Sequence, residues 1–320
     1  MGTEHLCMGC MGNQGAATVC PHCGWVQGTG PETPYHLPPG AILGHKYIIG
    51  QALEQDLLGV TYLAWDLNLS LKLTVKEYLP RTLAYREVNC AEVRLRPGES
   101  EGLFAYGLER FLEEAKILAR FEGNSSIATI RDSFKANDTG YQVFNFLEGL
   151  NLAGYLERVD KISFGKAQEL FMPVMDALKE VHSAGMLHLD ISPYSIFVTG
   201  TGRTMLIEFG LIRYAFGERS PDPKTALRHG FAPGELYRSP RIPGPWTDIY
   251  ALAATFYQAI TGSPPPPSPD RLANDTLIAP SKLGVKIKEH EEQTLLKAMA
   301  VSSADRYKTV QDLQRALRPY

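Results

Sequence analysis

Residues 187–210, LHLDISPYSIFVTGTGRTMLIEFG, decide the fold of this chain. They follow FGKAQELFMPVMDALKEVHSAG at 164–185, whose apolar spacing predicts an amphipathic helix closed by the final glycine. His188 and Asp190 follow that helix directly in the sequence. The residues alone allow Asp190 to be a turn-capping aspartate behind a buried histidine, or a functional carboxylate.

The spacing of the polar residues in this stretch resembles the catalytic core of a eukaryotic-type protein kinase. His188-Leu189-Asp190 stands where that family has His-Arg-Asp, and Glu208-Phe209-Gly210 where it has Asp-Phe-Gly. The resemblance implies that Asp190 is the base that orients a substrate hydroxyl. Ser195 takes the place of a metal-binding Asn, and Glu208 that of a metal-binding Asp.

These two replacements change the expected metal site. The Ser195 hydroxyl is a shorter and weaker ligand than an amide, and Glu208 keeps the charge but adds a methylene. Mg²⁺ demands near-ideal octahedral geometry, so both changes disfavour it. The alternatives are a backbone-bonded turn serine at 195 and an ion pair from Glu208 to Lys76 without metal.

Upstream, four runs alternate or are rich in β-branched and aromatic residues: KYIIGQAL, GVTYLAWD, LKLTVKEYL and YQVFNFL. They predict an antiparallel sheet. Residues 41–148 resemble a kinase small lobe, with five strands and one main helix, and are most similar to bacterial zinc-ribbon kinases that open LGQGGFGITYLAWD. The resemblance implies a helical large lobe at 149–320. The expected fold class is therefore α+β, a bilobal protein-kinase fold.

The resemblance fails at the loop that holds ATP phosphates. Glu54 and Asp56 replace two of its glycines, and only Gly59 remains. We expect backbone strain if the turn needs positive φ, and repulsion of about 4 kcal/mol for one charge pair at about 4 Å and a dielectric near 20. The alternative is an ordinary hairpin with its acids turned to solvent.

The remaining nucleotide-handling residues follow from the resemblance. Lys76 would pair with ATP phosphates and with a helix glutamate; Glu114 borders the apolar stripe of its helix and is the better candidate. Phe144 would be the gatekeeper, and Asn145 to Leu147 the hinge that binds adenine. The alternatives are a solvated lysine, a surface carboxylate and a plain core strand.

Three further positions resemble structural parts of the large lobe. Asp248 would brace the catalytic loop, and Arg306 would pair with Glu235 at the end of an activation segment over 209–235. Leu189 replaces the arginine that docks a phosphorylated segment, so that switch is not expected.

Four of the five cysteines form two CxxC pairs at the N-terminus. Four thiolates at this spacing predict a structural Zn²⁺ site in a small ribbon, residues 1–26, followed by a Gly/Pro linker at 27–40. The alternatives are disulfides or a redox pair. The predicted ligands are Cys7, Cys10, Cys20 and Cys23.

Composition sets the outer bounds. Hydrophobic residues are 44% and charged residues 21% of 320, so the chain can bury a core. The net charge of −3 gives no reason to expect nucleic acid. No apolar run approaches the roughly 18 residues of a membrane span, and the N-terminus has no secretory pattern. We expect a cytoplasmic protein.

The altered site leaves three functions open. The first is a pseudokinase, a regulatory or protein-binding module with weak or absent ATP binding. The second is an active ATP-dependent Ser/Thr protein kinase with an atypical metal site, and the third an adaptor built around the ribbon. Each implies a protein partner or protein substrate. The insert at 81–107 has too little periodicity to assign.

Overall fold

The computed structural model describes residues 5–88, 90–98, 100–210 and 227–318. The chain divides into two compact units. The first comprises Met1–Gly123 and Thr129–Phe146, and the second comprises Asn124–Ala128 and Leu147–Tyr320.

The first unit is built on strands, in agreement with the sequence pattern. Their bounds are β1 Ile42–Leu43, β2 Tyr47–Gln55, β3 Gly59–Asp66, β4 Leu71–Tyr78, β5 Ala84–Arg86, β6 Val93–Leu95, β7 Ile130–Ala136 and β8 Thr139–Asn145. Six of them form an antiparallel sheet in the order β1-β2-β3-β4-β8-β7. The sheet thus has one strand more than expected, because the two-residue β1 is too short to show a period. Strands β5 and β6 form a separate hairpin within the insert.

One main helix, α1 (Ser100–Leu118), packs on this sheet. Its predicted apolar stripe of Phe111, Ala115 and Leu118 is buried. The Gln142 side chain on β8 donates to the Phe111 carbonyl at 2.6 Å, which ties the helix to that strand.

The second unit is mainly helical. Its helices are α2 Leu152–Val159, α3 Phe164–Ser183, α4 Pro245–Thr261, α5 Ser268–Ala273, α6 Glu289–Ala298 and α7 Val310–Leu317. Helix α3 lies where the sequence predicted it, and α4 is buried on nearly every side. Strands β9 Gly149–Asn151, β10 Ile196–Thr199 and β11 Thr204–Leu206 form a small sheet in the order β11-β10-β9. No helix among the described residues is long and apolar enough to cross a membrane.

The core of the first unit contains a charged pair that the sequence did not reveal. Glu77 on β4 and Arg86 on β5 form an ion pair, and neither side chain is more than 1% exposed. The Glu77 carboxylate also accepts hydrogen bonds from the hydroxyls of Tyr62 at 2.9 Å and Tyr141 at 2.6 Å. Burial, together with the Glu77 charge, raises the pKa of both tyrosines. A buried pair so fully hydrogen-bonded is tolerated, whereas losing one partner costs about 3–5 kcal/mol.

Arg86 ties the insert and the linker to the sheet. Its Nη1 donates to the carbonyl of Tyr35 at 2.7 Å, and its Nε donates to the carbonyl of Ala91 at 3.0 Å. The amide of Leu37 donates to the Tyr62 hydroxyl at 3.0 Å. The linker is therefore held along its second half, which the Gly/Pro composition did not indicate.

Candidate functional site

The loop after α3 is held by an aspartate from α4. Asp248 is fully buried and accepts from the amides of His188 and Leu189, both at 2.8 Å. It also lies 2.8 Å from Nε2 of His182. These bonds confirm the predicted bracing role. Leu189 has φ +67°, a conformation that costs a non-glycine residue about 1–3 kcal/mol and clusters at functional sites.

Asp190, at the centre of this loop, faces a cation that sequence reasoning missed. Nε of Arg228 lies 3.2 Å from each carboxylate oxygen of Asp190. The guanidinium also lies over the Tyr194 ring, 4.6 Å from its centroid. Asp190 is 9% exposed, so its charge is compensated within a nearly closed surrounding. No local pattern marked Arg228, because it belongs to the segment before Phe231 and not to a motif.

His188 is a buried structural residue, as one interpretation of the sequence held. Its ring packs against Phe209 with the centroids 4.7 Å apart. Nδ1 accepts a long bond from the Asp190 amide at 3.4 Å. Complete burial lowers the pKa of His188, so the ring is neutral near pH 7.

The turn Glu208-Phe209-Gly210 lies directly on the loop at residues 187–195, named the catalytic loop after the resemblance. Gly210 donates its amide to the His188 carbonyl at 2.7 Å. A Cβ at Gly210 would come within 2.6 Å of the Asp190 Cβ, so only glycine fits there. Glu208 is half-buried with φ +57°, a second strained non-glycine residue in this site.

Ser195 is engaged with the backbone of its own turn. Its Oγ accepts from the Ser192 amide at 2.9 Å and donates to the Ser192 carbonyl at 3.2 Å. Its own carbonyl accepts from the Ile207 amide at 2.9 Å, which joins the loop to the turn before Glu208. This geometry matches the turn-serine interpretation.

The end of the activation segment is anchored as predicted. Arg306 and Glu235 form a bidentate pair, with Nη1 at 2.7 Å and Nη2 at 3.1 Å from the two carboxylate oxygens. Arg306 is buried at 2% exposure. Residues 211–226 of the predicted segment lie outside the described residues.

In the first unit, Lys76 lies on β4 between Thr61 of β3 and Gln142 of β8. Glu114 on α1 is 3% exposed, whereas Glu113 is half-buried and pairs with Arg110. The helical period therefore selected the inward-facing glutamate correctly. The pairing of Lys76 with Glu114 remains a prediction.

The proposed hinge residues lie at and after the end of β8. Phe144 is half-buried and lies opposite Thr74 of β4. The Asn145 side chain accepts a hydrogen bond from Nε of Arg131. Leu147 is half-buried and belongs to the second unit.

The β2–β3 hairpin is not strained in the way the sequence suggested. Neither Glu54 nor Asp56 has a positive φ, so the condition under which strain was expected is not met. The register of β2 against β3 shifts between Ile49 and Ala52 and again between Ala52 and Glu54. A Cβ at Gly59 would overlap the Glu77 carbonyl, so close strand packing is sufficient reason for that glycine.

Asp56 turns inward to its own turn. Its Oδ1 accepts from the amides of Leu58 at 2.8 Å and Gly59 at 2.9 Å. Backbone amides at such a turn are the donors that a glycine-rich loop offers to phosphates. In this chain an internal carboxylate accepts from two of them. Glu54, in contrast, is exposed as the hairpin interpretation predicted.

The four N-terminal cysteines converge on one point. Their sulfur atoms all lie within 4.8 Å of one another, a donor set that fits a tetrahedral metal ion. The two halves repeat the same turn: the Met11 amide donates to the Cys7 carbonyl at 2.8 Å, and the Gly24 amide to the Cys20 carbonyl at 2.9 Å. The Gly9 amide donates to the Cys7 sulfur at 3.3 Å, a hydrogen bond that would stabilise a thiolate.

The first of these turns packs on β2. The Gln51 amide donates to the Met8 carbonyl at 2.9 Å, and its side chain donates to the Gly9 carbonyl at 2.6 Å. A Cβ at Gly50 would lie 2.5 Å from the Met8 carbonyl oxygen, so glycine permits this approach. The cysteine cluster is thereby joined to the strand that leads into the β2–β3 hairpin.

Comparison with known families agrees with this geometry. A family model described as "Protein kinase domain" matches residues 95–313, more than half of the chain, and the chain therefore belongs to the protein kinase family. The matched span begins after the β2–β3 hairpin that carries Glu54 and Asp56.

Curated relatives are bacterial. The chain is 29% identical over 233 residues to the probable serine/threonine-protein kinase PknB of Corynebacterium glutamicum, covering 64% of this chain and 34% of that protein. It is 25% identical over 298 residues to the probable serine/threonine-protein kinase CE0033 of Corynebacterium efficiens, covering 85% of this chain and 41% of that protein. The chain thus spans less than half the length of these relatives.

Among solved structures, one described as "PpkA-294 apo form" is 30% identical with a TM-score of 0.81. The match covers 89% of this chain and 100% of that chain. The protein-kinase fold predicted from the sequence is confirmed.

Proposed function

We propose that this chain is the catalytic domain of an ATP-dependent Ser/Thr protein kinase with a reduced metal site. The observation that carries the proposal is the placement of Asp190. It lies in a loop held by Asp248, and Arg228 compensates its charge. The similarity to proteins named as probable serine/threonine-protein kinases supports the same reaction.

The chain's own residues have the following roles in this proposal. Asp190 accepts a hydrogen bond from the substrate hydroxyl and orients it for attack. The Lys76 ammonium binds nucleotide phosphates, and Glu114 positions that ammonium. The hinge and gatekeeper contacts to adenine are assigned to Phe144, Asn145 and Leu147, and the hairpin glycine is Gly59.

A divalent cation would neutralise charge on the transferred phosphoryl group. Glu208 offers a carboxylate, a ligand type that Mg²⁺ and Mn²⁺ both accept. The Ser195 hydroxyl is already bonded to the Ser192 backbone, so we assign it no primary role as a ligand. One carboxylate in place of an Asp and Asn pair predicts weak metal affinity and slow turnover.

The second candidate is a pseudokinase that regulates or binds another protein. Asp56 favours it, because this carboxylate accepts from the amides of Leu58 and Gly59 and brings negative charge to the hairpin. Under this candidate the braced loops are retained for the shape of the protein surface.

We also propose that the cysteine cluster holds structural Zn²⁺. Four thiolates in two matched turns are the donor set that zinc prefers. A four-thiolate metal site is the use of cysteine expected in a reducing compartment, so we place the domain in the cytoplasm. The protein substrate or partner is unidentified.

The decisive experiment measures phosphate transfer from labelled ATP, to the chain itself and to Ser/Thr peptide mixtures, with Mg²⁺ and with Mn²⁺. Asp190→Asn should lower the rate by about 10²–10⁴-fold, the usual contribution of a positioned base. Glu169→Gln is the matched control, since Glu169 is an exposed carboxylate on α3 that pairs with Lys166. Its rate should be unchanged.

Absence of transfer with either metal would contradict the kinase proposal. A thermal shift on adding ATP separates the remaining outcomes. A ligand at about a hundred times its Kd stabilises by about 2.7 kcal/mol. Binding without transfer supports the pseudokinase with a nucleotide site, and no binding supports a kinase fold that serves only as a binding module.

A further inference from the structure

The first unit contains a cavity that kinase chemistry does not use. Its volume is about 260 Å³, and it opens beside the insert that the sequence left unassigned. The start of the insert supplies Arg81, Thr82 and Tyr85, and its second strand is followed by Arg96. Tyr35 from the linker closes one side. We call this cavity the arginine pocket.

Two guanidinium groups dominate the arginine pocket. Arg81 lies over the ring of Tyr35, 5.6 Å from its centroid, and Arg96 lies over the ring of Tyr85 at 5.5 Å. Nε of Arg96 donates to the Arg81 carbonyl at 2.9 Å, which leaves the terminal nitrogens of Arg96 available. Stacking on a ring orients a guanidinium without satisfying its N–H donors.

Neither guanidinium has an acidic partner among the residues that the structure describes. The neighbouring Arg94 differs in this respect, because its Nε lies 3.5 Å from Glu87. Two oriented cations beside one cavity create a local positive potential, although the whole chain is slightly acidic. The charge therefore points to an anionic ligand.

The volume and the lining residues of the arginine pocket limit further which anionic ligands it can bind. A volume of about 260 Å³ lies below the roughly 300–1,000 Å³ of pockets for drug-sized ligands and cofactors, which favours a small ligand over a whole nucleotide. Leu57 and Leu79 contribute apolar walls, and Thr82 a hydroxyl. A small dianion on a short carbon stem matches this combination.

We propose that the arginine pocket binds a phosphate monoester, with Arg81 and Arg96 as the two cationic ligands. A phosphomonoester carries a charge of about −1.5 to −2 at pH 7, which two guanidinium groups balance. Arginine forks match phosphate oxygens bidentately. The occupant we favour is a phosphorylated side chain of a polypeptide, because its carbon stem covers the apolar walls. Inorganic phosphate shares the chemistry and leaves those walls bare.

The position of the pocket gives binding a consequence. Leu57 lies in the turn of the β2–β3 hairpin, and the Leu79 amide donates to the Leu58 carbonyl at 2.9 Å. A ligand packed on both leucines steadies this hairpin. The proposal does not depend on phosphotransfer, since every lining residue lies within residues 35–96 of the first unit.

The test is calorimetric titration of the full chain, prepared with its metal, against three probes. The probes are a short phosphoserine peptide, its unphosphorylated twin and inorganic phosphate. We expect the phosphopeptide to bind and the twin not to bind. Arg96→Gln should weaken binding by about tenfold or more, since a hydrogen bond to a charged group contributes about 1.5–3 kcal/mol.

Arg94→Gln is the matched control, because it removes the same charge from the same hairpin outside the pocket. Its affinity should stay within about twofold of wild type. Arg81→Lys keeps the charge but loses the fork and should weaken binding several-fold. Melting curves of each variant check that the fold is intact.

Equal loss in Arg96→Gln and Arg94→Gln would overturn the proposal, because the effect would then be general electrostatics. Equal binding of the phosphopeptide and its twin, or no binding of any probe, would overturn it too. Inorganic phosphate binding as tightly as the peptide would support the phosphate site and reject the polypeptide as its source. None of these outcomes changes the phosphotransfer result, so the two proposals fail separately.

Discussion

The β2–β3 hairpin and the catalytic loop differ in where their backbone amides find an acceptor. In the hairpin, Asp56 accepts from amides two and three residues away. In the catalytic loop, the acceptor is Asp248, which reaches the loop from α4. The distant acceptor leaves Asp190, the loop's own carboxylate, turned toward Arg228.

The difference shows that two loops of one domain can be equally well hydrogen-bonded and differ in what they offer a ligand. A loop whose backbone amides donate to its own carboxylate is stable by itself, but those amides are no longer available to bind a ligand. A loop held from outside does not use its own carboxylate to close its turn, and it depends on the rest of the unit for its shape. The scaffold contact of Arg306 with Glu235 is present as the motif order predicted.

Removing the metal from the cysteine cluster should have the largest effect on stability. The effect should be confined to the cluster and to β2, the strand that leads into the β2–β3 hairpin. A structural zinc site contributes about 10–16 kcal/mol in small zinc domains. Because Gln51 on β2 binds the first cysteine turn, loss of the metal frees both segments. Hydrogen exchange after chelation should rise in residues 5–26 and 47–55 and stay unchanged in 187–195.

Metal analysis of the purified chain supplies the control. We expect about one zinc ion per chain, lost in Cys20→Ser. Equal acceleration of exchange in the catalytic loop would show that the two regions are not held independently.

Asp248→Ala should have the next largest effect on stability, and it tests how the catalytic loop is held. The substitution leaves the amides of His188 and Leu189 buried without an acceptor and should lower the free energy of unfolding by about 3–5 kcal/mol. Glu169→Ala, an exposed carboxylate on the same unit, should change it by less than about 0.5 kcal/mol. Urea denaturation measures both. Similar values for the two variants would mean that the loop is not braced through Asp248.

Asp56 variants should give a smaller effect on stability and sharpen the account of the hairpin. Asp56→Gly removes the acceptor of two turn amides and should lower the free energy of unfolding by about 0.5–1.5 kcal/mol. Asp56→Asn keeps an acceptor oxygen and removes only the charge. ATP affinity is measured for both by thermal shift.

A gain in ATP affinity for both variants would identify the charge as the obstacle. A gain for the glycine variant alone would identify the use of the Leu58 and Gly59 amides. If neither variant binds ATP better than wild type, Asp56 is not what limits nucleotide binding.

The smallest effect is a pH dependence from His188. Its pKa is lowered by burial, so the unfolded state takes up a proton first as the pH falls below about 6.5. The stability that His188 contributes is present above about pH 6.5 and is lost on acidification, by at most about 1.4 kcal/mol per pH unit. Denaturation at pH 7.5 and 5.5 should show a smaller difference for His188→Asn. The exposed His290 on α6 serves as control, and His290→Asn should retain the wild-type difference.

Local patterns in the sequence predicted much of the fold. The predictions of four strands (β2, β3, β4 and β8) and of the helix at 164–185 are confirmed. Each of these segments shows the spacing of apolar residues that is typical of its own secondary structure. Motif order also placed Asp248 and the pair of Arg306 with Glu235.

Contacts between distant and irregular segments were not predictable. Arg86 lies in an insert without a period, yet it is the buried partner of Glu77. Arg228 belongs to a segment with no regular pattern, yet it faces Asp190. The backbone of the β2–β3 hairpin was not predictable from local patterns either: neither Glu54 nor Asp56 has a positive φ, and the register of β2 is irregular.

The sequence by itself determined the class of this protein, because periodic strands, an ordered set of kinase motifs and paired cysteines are local or spacing signals. Only the tertiary structure decided which groups are free to act. Asp56 accepts hydrogen bonds from its own turn, and Asp190 pairs with Arg228. Residues of the insert line the arginine pocket. The physical reason is that a side chain's chemistry is set by its neighbours in space, and those neighbours come from elements far apart in the chain.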